Sequence, residues 1–273
     1  KLSEAKLSFA QSANFNEHLD GANFTTEQLE MLQTVPREPF GELLKDFMLN
    51  RQFRKDYWVK GKLALSPLAQ REALERVTVT VNSADGEAPE AIKTELGEVA
   101  LQEKIYRPLY ECLSGYDSVS IGALWKNLSG GSLTFPQLQQ ALTVLMSSGH
   151  VAVAHDKETT DRLVDQCAAF NKEVIERARF SHDINFVANP TTGGGTQLNR
   201  FQQLFTAARL DGKRDPDEWA LEAWRVISKQ GQKVVRDNIA LQTEEENLAE
   251  LRSVAEKFAE TQLPLLQKHK IIA

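Results

Sequence analysis

The residues with the most chemical character run Asn189-Pro190-Thr191-Thr192-Gly193-Gly194-Gly195-Thr196. Glycine loses more backbone freedom on folding than any other residue, so three in a row mark a sharp turn or a close approach. Ahead of them Ile184-Asn185-Phe186-Val187 reads as a short strand. Behind them Leu198, Phe201, Leu204 and Phe205 fall on one helical stripe. Strand, glycine loop and helix start is the order of a phosphate-binding turn. A P-loop, however, needs a Lys followed by Ser or Thr after its last glycine, so that an ammonium reaches the phosphates and a hydroxyl the metal. Here Gly195 is followed by Thr196-Gln197, and the third glycine of a dinucleotide fingerprint is replaced by Leu198. The spacing favours a tight backbone turn between packed elements over an anion cradle.

A second grouping, Asn50-Arg51-Gln52-Phe53-Arg54-Lys55-Asp56-Tyr57-Trp58, sets three cations beside three aromatics. That composition suits carboxylate pairing and stacking. The plainer reading, which is favoured, puts Phe53 and Trp58 in a core and pairs Arg54 with a neighbouring acid. His150 and His155, followed by Asp156, lack any metal-ligand spacing, and strand alternation sends them to opposite sides. No Ser-His-Asp or Cys-His grouping can be assembled from His18, His182 or His269. Cys167, on a helical stripe with Leu163, Phe170 and Val174, reads as a small core residue. No residue is assigned to catalysis, to a metal or to a cofactor.

The elements that must carry these residues suggest an α+β chain, mostly α. Residues 1–100 read as a small mixed N-terminal unit. Thr25 with Gln28 forms a capping box opening a helix with Leu29, Leu32 and Val35 inward, ended by Pro36 and Pro39. Phe40, Leu44 and Phe47 mark a second helix. Val77–Val81 alternates as a half-buried strand, residues 83–89 form a turn-rich linker, and one or two short strands follow between Ile92 and Leu101.

Residues 101–156 give helices around Ile105–Leu113, Ala123–Trp125 and Phe135–Met146, the last with Leu138, Ala141, Leu142 and Leu145 inward, then an alternating wing over His150–His155, a winged-helix-like unit. The third helix would read duplex DNA, yet Phe135–Ser148 contains no Arg or Lys and offers only Gln137, Gln139 and Gln140. A docking or packing role suits it better. Residues 157–273 form a helical C-terminal unit around the glycine loop. Asp215 caps a helix with Pro216 at its first position and Trp219, Ala223 and Ile227 inward. Thr243 and Glu246 form another capping box ahead of Leu248, Leu251, Ala255 and Phe258, and Pro264 restarts the last turn.

Several stretches together carry a resemblance. They are Pro190–Gly195 with Arg200-Phe201-Gln202-Gln203-Leu204-Phe205, then Asp215-Pro216-Asp217-Glu218-Trp219-Ala220, Thr243–Leu251, Leu263-Pro264-Leu265-Leu266 and the Asn50-Arg51-x-Phe53-Arg54 run. The chain resembles the C-terminal region of bacterial class I S-adenosylmethionine-dependent methyltransferases, protein-lysine type included, that carry a "methyltransferase regulatory domain" after their catalytic fold. Lys6–Asn14 resembles the strand that follows that fold. The resemblance implies a non-catalytic regulatory or substrate-binding region, with S-adenosylmethionine held by an upstream or separate catalytic domain and none in this chain. A protein methyl acceptor is implied as partner. Arg54, Tyr57, Trp58, Thr192, Gly193, Gly194, Gly195 and Arg200 are the residues expected to face the catalytic domain or that acceptor. The competing reading is a winged-helix protein-interaction adapter; a DNA-binding regulator is less favoured.

Composition agrees with this. The 273 residues are 41% apolar and 26% charged, as in a soluble globular protein, and a net charge of −6 argues against nucleic acid or anionic membrane as partner. No apolar run is long enough to span a membrane, and two cysteines suit a reducing cytoplasm. The chain opens Lys1-Leu2-Ser3 with its first methionine at Met31, which reads as a piece of a longer protein. A homodimer stays open.

Overall fold

The computed structural model describes residues 2, 4–36, 40–84, 86–131 and 133–272; Lys1, Ser3 and Pro39, named above, and Asp85 of the 83–89 linker lie outside them. Among the described residues the chain is mostly helical, and its strands form sheets of two or three, the expected α+β, mostly α class. It divides into two compact units, Lys1–Asn82 with Glu87–Val153, and Ser83–Gly86 with Ala154–Ala273.

The first unit opens with β1 (Leu7–Ser12), a 3-10 turn (Phe15–His18), α1 (Asp20–Asn23), α2 (Thr26–Gln33) and α3 (Glu42–Met48). The capping box of Thr25 and Gln28 opens α2 as its spacing requires. β2 (Asp56–Lys60) runs antiparallel to β1, with an irregularity between Phe9 and Gln11. α4 (Pro67–Arg76) leads into β3 (Thr78–Val81), and β4 (Ala91–Thr94) pairs with β5 (Gly97–Ala100) as a hairpin. α5 (Glu103–Ser114), β6 (Val119–Ser120), α6 (Ile121–Leu128), α7 (Phe135–Ser147) and β7 (Val151–Ala154) complete it.

β3 is the middle strand of the order β6-β3-β7. Val79, Thr80 and Val81 are therefore all buried, where alternation predicted a half-buried strand. A neighbour flanks it on each edge, α5 packs against it, and Thr80 satisfies its hydroxyl by donating to the Asp117 carbonyl at 2.6 Å. Around this sheet Leu109, Leu113, Leu124, Leu138, Leu142 and Leu145 form a closed core. The inward face predicted for α7 is the buried one.

The N-terminal helices differ from expectation. Leu29, Leu32 and Val35 are half-buried along a cleft, and Phe40 and Phe47 are exposed. Among the described residues 1–60, Phe24 is the one hydrophobic side chain in the buried core.

The second unit begins with α8 (Lys157–Arg177), followed by β8 (Phe186–Ala188), β9 (Gly195–Gln197), α9 (Arg200–Leu210) and α10 (Pro216–Lys229). β10 (Val235–Arg236) and β11 (Ile239–Ala240) flank Asp237 and Asn238, both at positive φ, as a tight two-residue hairpin demands. α11 (Glu244–Lys257), a π turn (Phe258–Gln262) and α12 (Leu263–Lys268) end it. Both predicted caps, Asp215 and the Thr243–Glu246 box, are in place. Trp219 meets Phe258 edge-on at 6.1 Å in a core shared with Phe205, Leu251 and Ile227.

On α8 the apolar stripe was misplaced. Phe170 is exposed and Cys167 only half-buried, whereas Asn171 is buried. The Asn171 amide acts like an added strand. Its Oδ1 accepts from the Ala188 backbone N–H at 2.6 Å, and its Nδ2 donates to the Ala188 carbonyl at 2.9 Å. A polar side chain at the centre of the inward face hides that face from a reading by hydrophobicity.

Candidate functional site

Of the residues singled out from sequence, Arg54, Tyr57 and Trp58 fall in the first unit and Thr192–Gly195 and Arg200 in the second, so they make two groups.

The glycine run is the turn of a hairpin. β8 pairs antiparallel with β9, and Ala188 faces Gly195 in register. Three strand residues thus separate the loop from α9, which Asn199 and Gln202 open with their own capping box. The expected order of strand, loop and helix start is corrected: no helix N-terminus follows directly on the glycines.

Asn189 organises the turn. Its Oδ1 accepts from the backbone N–H of Thr191 at 2.9 Å and of Thr192 at 3.0 Å, and its carbonyl accepts from Gly193 at 2.9 Å. The Gly194 N–H donates to Thr192 Oγ1 at 3.4 Å. Four successive loop N–H groups are used internally, whereas an anion nest needs them converging outward. Asn189 Nδ2 donates to Thr196 Oγ1 and to His269 Nδ1, both at 3.0 Å, and Thr191 Oγ1 donates to the His269 carbonyl at 2.9 Å. With Asn189 and Thr191 each 2% exposed, the loop is a buried polar joint between the hairpin and the end of α12.

The three glycines are not equivalent. Gly193 sits at φ +70°, and a Cβ there would lie 2.6 Å from His155 Cε1 and 2.8 Å from Nε2. At Gly194 the nearest atom to such a Cβ is Thr192 Oγ1 at 3.8 Å. His155 is held by its own N–H to the Thr191 carbonyl at 2.7 Å and by Nδ1 to the Pro190 carbonyl at 3.1 Å. Arg200 is equally committed. Its Nε donates to the Ala178 carbonyl at 2.8 Å, Nη1 to Gln232 Oε1 at 2.6 Å and Nη2 to Gln230 Oε1 at 2.7 Å, tying α8, α9 and the segment after α10.

In the first unit Arg54 lies in a web of acids. It donates to Asp56 Oδ1 through Nη2 at 3.1 Å and to Asp46 Oδ2 through Nη1 at 3.3 Å, and it stands 3.5 Å from Glu42 Oε2. Its guanidinium carbon is 5.2 Å from the centre of the Phe9 ring. Arg51 joins Glu17 at 3.3 Å and Asp46 at 3.2 Å, and Lys45 joins Asp20 at 2.8 Å. Partial burial works against the charge on Arg54, but Asp56 and Asp46 outweigh it and raise its pKa above the usual arginine value. Burial likewise pushes the Glu17 carboxyl up, and hydrogen bonds from Asn14 and Ser12 with the Arg51 charge more than offset this, leaving it lowered.

A group whose folded pKa is depressed stabilises the fold above its unfolded value, about 4.3 for Glu, and that contribution fades as pH falls through the lowered value. Acid titration of the thermal midpoint is therefore expected to fall below about pH 4 less steeply in Glu17→Gln than in the parent. Identical slopes would show that Glu17 carries none of the acid sensitivity.

The favoured pairing of Arg54 with a nearby acid is what the structure has, but Phe53 is not core: it is 88% exposed. Trp58 is not core either: it lies exposed, edge-on to Phe9 at 5.9 Å, and Tyr57 is exposed beside it. Glu17, Asp20, Glu42 and Asp46 were missed. The one signal for them was the i, i+4 spacing of Glu42 and Asp46 ahead of two arginines.

A cleft of about 550 Å3 beside this web is lined by Phe9, Leu29, Leu32, Asp20, Glu42 and Lys45 among others. Among the described residues no three His, Cys, Asp or Glu side chains converge as a metal site, and no helix is long and apolar enough to cross a membrane. The sheets among those residues have two or three strands each.

Residues 1–60 match the family model described as "Predicted methyltransferase regulatory domain". The curated "Uncharacterized protein sll1526" of Synechocystis sp. is 35% identical over 268 residues, covering 98% of this chain and 52% of that protein. Among solved structures, PKMT2 from Rickettsia typhi in complex with AdoHcy aligns at a TM-score of 0.50 and 14% identity over 94% of this chain and 55% of that one, a likeness of fold. The chain spans about half the length of the relatives it matches.

Proposed function

We propose that this chain is the non-catalytic regulatory and substrate-binding region of an S-adenosylmethionine-dependent methyltransferase, docked through its N-terminal sixty residues onto the region that holds the cofactor. The carrying observation is unequal burial. Within the residues that match the regulatory-domain family, the described side chains include ten large exposed hydrophobics, Phe53, Tyr57, Trp58 and Val59 among them, against the single buried core residue Phe24. A segment so poor in core gains little from hydrophobic burial on its own, and exposed aromatic and aliphatic side chains in this number suit an interface.

The half of the relatives' length that this chain does not cover is long enough for a catalytic fold, and the AdoHcy bound by PKMT2 is the product form of that cofactor. In this reading the regions 1–100, 101–156 and 157–273 act as docking, winged-helix packing and acceptor-holding parts in a cytoplasmic enzyme whose acceptor is a protein. An adapter built on the winged-helix part is the second reading. It is favoured by the closed core of α5, α6 and α7, which needs no partner.

Replacement of Tyr57 and Trp58 by Asp is expected to weaken binding of the catalytic region about thirtyfold or more in calorimetry, the scale of two aromatic hot spots. Unchanged affinity, or retention of S-adenosylmethionine by this chain alone, would overturn the proposal.

A further inference from the structure

We propose that a second cleft of the first unit, between the 3-10 turn Phe15–His18 and the end of α7, binds a primary ammonium group presented by a peptide. It encloses about 410 Å3, and Asn23, Glu17, Arg51 and Glu95 contribute to its wall. Asn23 is 2% exposed. Its Nδ2 donates to the Asn16 carbonyl at 2.6 Å, which fixes the orientation of the amide and leaves Oδ1 as the atom without a partner. A buried acceptor left unsatisfied carries the full cost of its desolvation, so a ligand that brings a donor removes that cost.

The surroundings select the kind of donor. Glu17 is held ionised by the hydrogen bonds and the cation described above. Glu95, on the exposed turn between β4 and β5, makes no ion pair among the described residues. The neighbouring web sets the carboxylates of Glu17, Asp20, Glu42, Asp46 and Asp56 against Lys45, Arg51 and Arg54, an excess of two negative charges that Glu95 raises to three. Arg51 does not spoil this, because its Nη1 is shared between Glu17 and Asp46.

A neutral amide could satisfy Asn23 but would leave the charge unmatched, and a planar guanidinium holds its donors in a fixed fork that suits paired acceptors rather than one amide oxygen and separate carboxylates. An ammonium is a compact charge with three donors, enough for one amide oxygen and two carboxylates. Phe15, Leu49 and Met146 also line the cleft, and they suit the methylene stem of a lysine side chain better than a bare chain terminus. The inference rests on this cleft alone and stands whether or not the N-terminal segment docks onto a methyltransferase.

The test uses the full 273-residue chain, 15N-labelled, titrated with three probes. Nα-acetyl-lysine methylamide offers a side-chain ammonium, alanine methylamide an α-ammonium, and Nα,Nε-diacetyl-lysine methylamide neither. Saturable shifts are expected at Asn16, Glu17, Asn23 and Glu95 with the first probe and none with the third. Shifts with alanine methylamide alone would support the site with a chain terminus as its source. Added salt and Glu95→Gln are each expected to weaken binding roughly two- to fivefold, the effect of one exposed charge. Asn23→Leu should weaken it about tenfold or more, as for a lost charge-assisted hydrogen bond. Should Asn23→Leu fail to fold, Glu95→Gln still decides, since it lies on an exposed turn. Equal binding of the diacetylated probe, no saturable shift with either ammonium, or indifference to Glu95→Gln and to salt would overturn the proposal.

Discussion

Gly193→Val is expected to destabilise the second unit by about 3 kcal/mol, while Gly194→Val changes little. At φ +70° any L side chain adopts the left-handed region, which costs roughly 1–2 kcal/mol, and a β-branched one fares worse. The new Cβ would also drive into the His155 ring, so the ring must leave and its contact with the Pro190 carbonyl, worth about 1 kcal/mol, is lost. Gly194 has neither a positive φ nor a crowded Cβ. In urea the difference should read as a midpoint lower by about 1–2 M for the Gly193 variant alone. Equal midpoints for the two variants would mean that the loop yields easily, and that its glycines serve contact with a partner.

Arg54→Ala should loosen the first unit by about 2 kcal/mol. The guanidinium is the common partner of Asp46, Asp56 and Glu42, so its removal leaves Asp46 to Arg51, Glu42 to Lys45 and Asp56 without its arginine, and also forfeits the stacking on Phe9. A fully buried network broken this way costs roughly 3–5 kcal/mol; about a fifth of this side chain is exposed, and solvent screening lowers the figure. Arg54→Lys keeps the charge but not the planar fork and should fall between the two. The thermal midpoint of the three proteins is the measurement. A normal midpoint in Arg54→Ala, together with lost turnover when the catalytic region is present, would return Arg54 to the acceptor-facing role that its setting among aromatics first suggested.

Local chemistry made much of this architecture legible in advance. The capping boxes at Thr25 and Thr243, the proline after Asp215 and the inward face of α7 each depend on residues within one or two turns, and each was read correctly. The failures share a different cause. Asn171 and Asn189 are buried because their amides complete hydrogen bonds to backbone near in space, a role that hydrophobic periodicity cannot register. Phe53 and Phe47 carry every mark of core residues, yet they point outward because the surface that would cover them is not supplied by these helices. Gln137, a candidate base reader on α7, is spent as the capping partner of Thr134. The acid web around Arg54 gathers residues from Glu17 to Asp56, and a linear reading saw only the arginines.

The central place of β3 has a consequence for how the polypeptide is made. One edge of Thr78–Val81 meets β6 some forty residues later, and the other waits for β7, after His150, whose carbonyl takes the Asn82 N–H at 2.8 Å. At translation speeds of roughly 5–20 residues per second, a Val-rich strand leaves the ribosome about 4–14 s before its last neighbour is synthesised. For that interval both its margins are open to foreign strands, and newly made chains should depend on holdase chaperones more than the finished fold does.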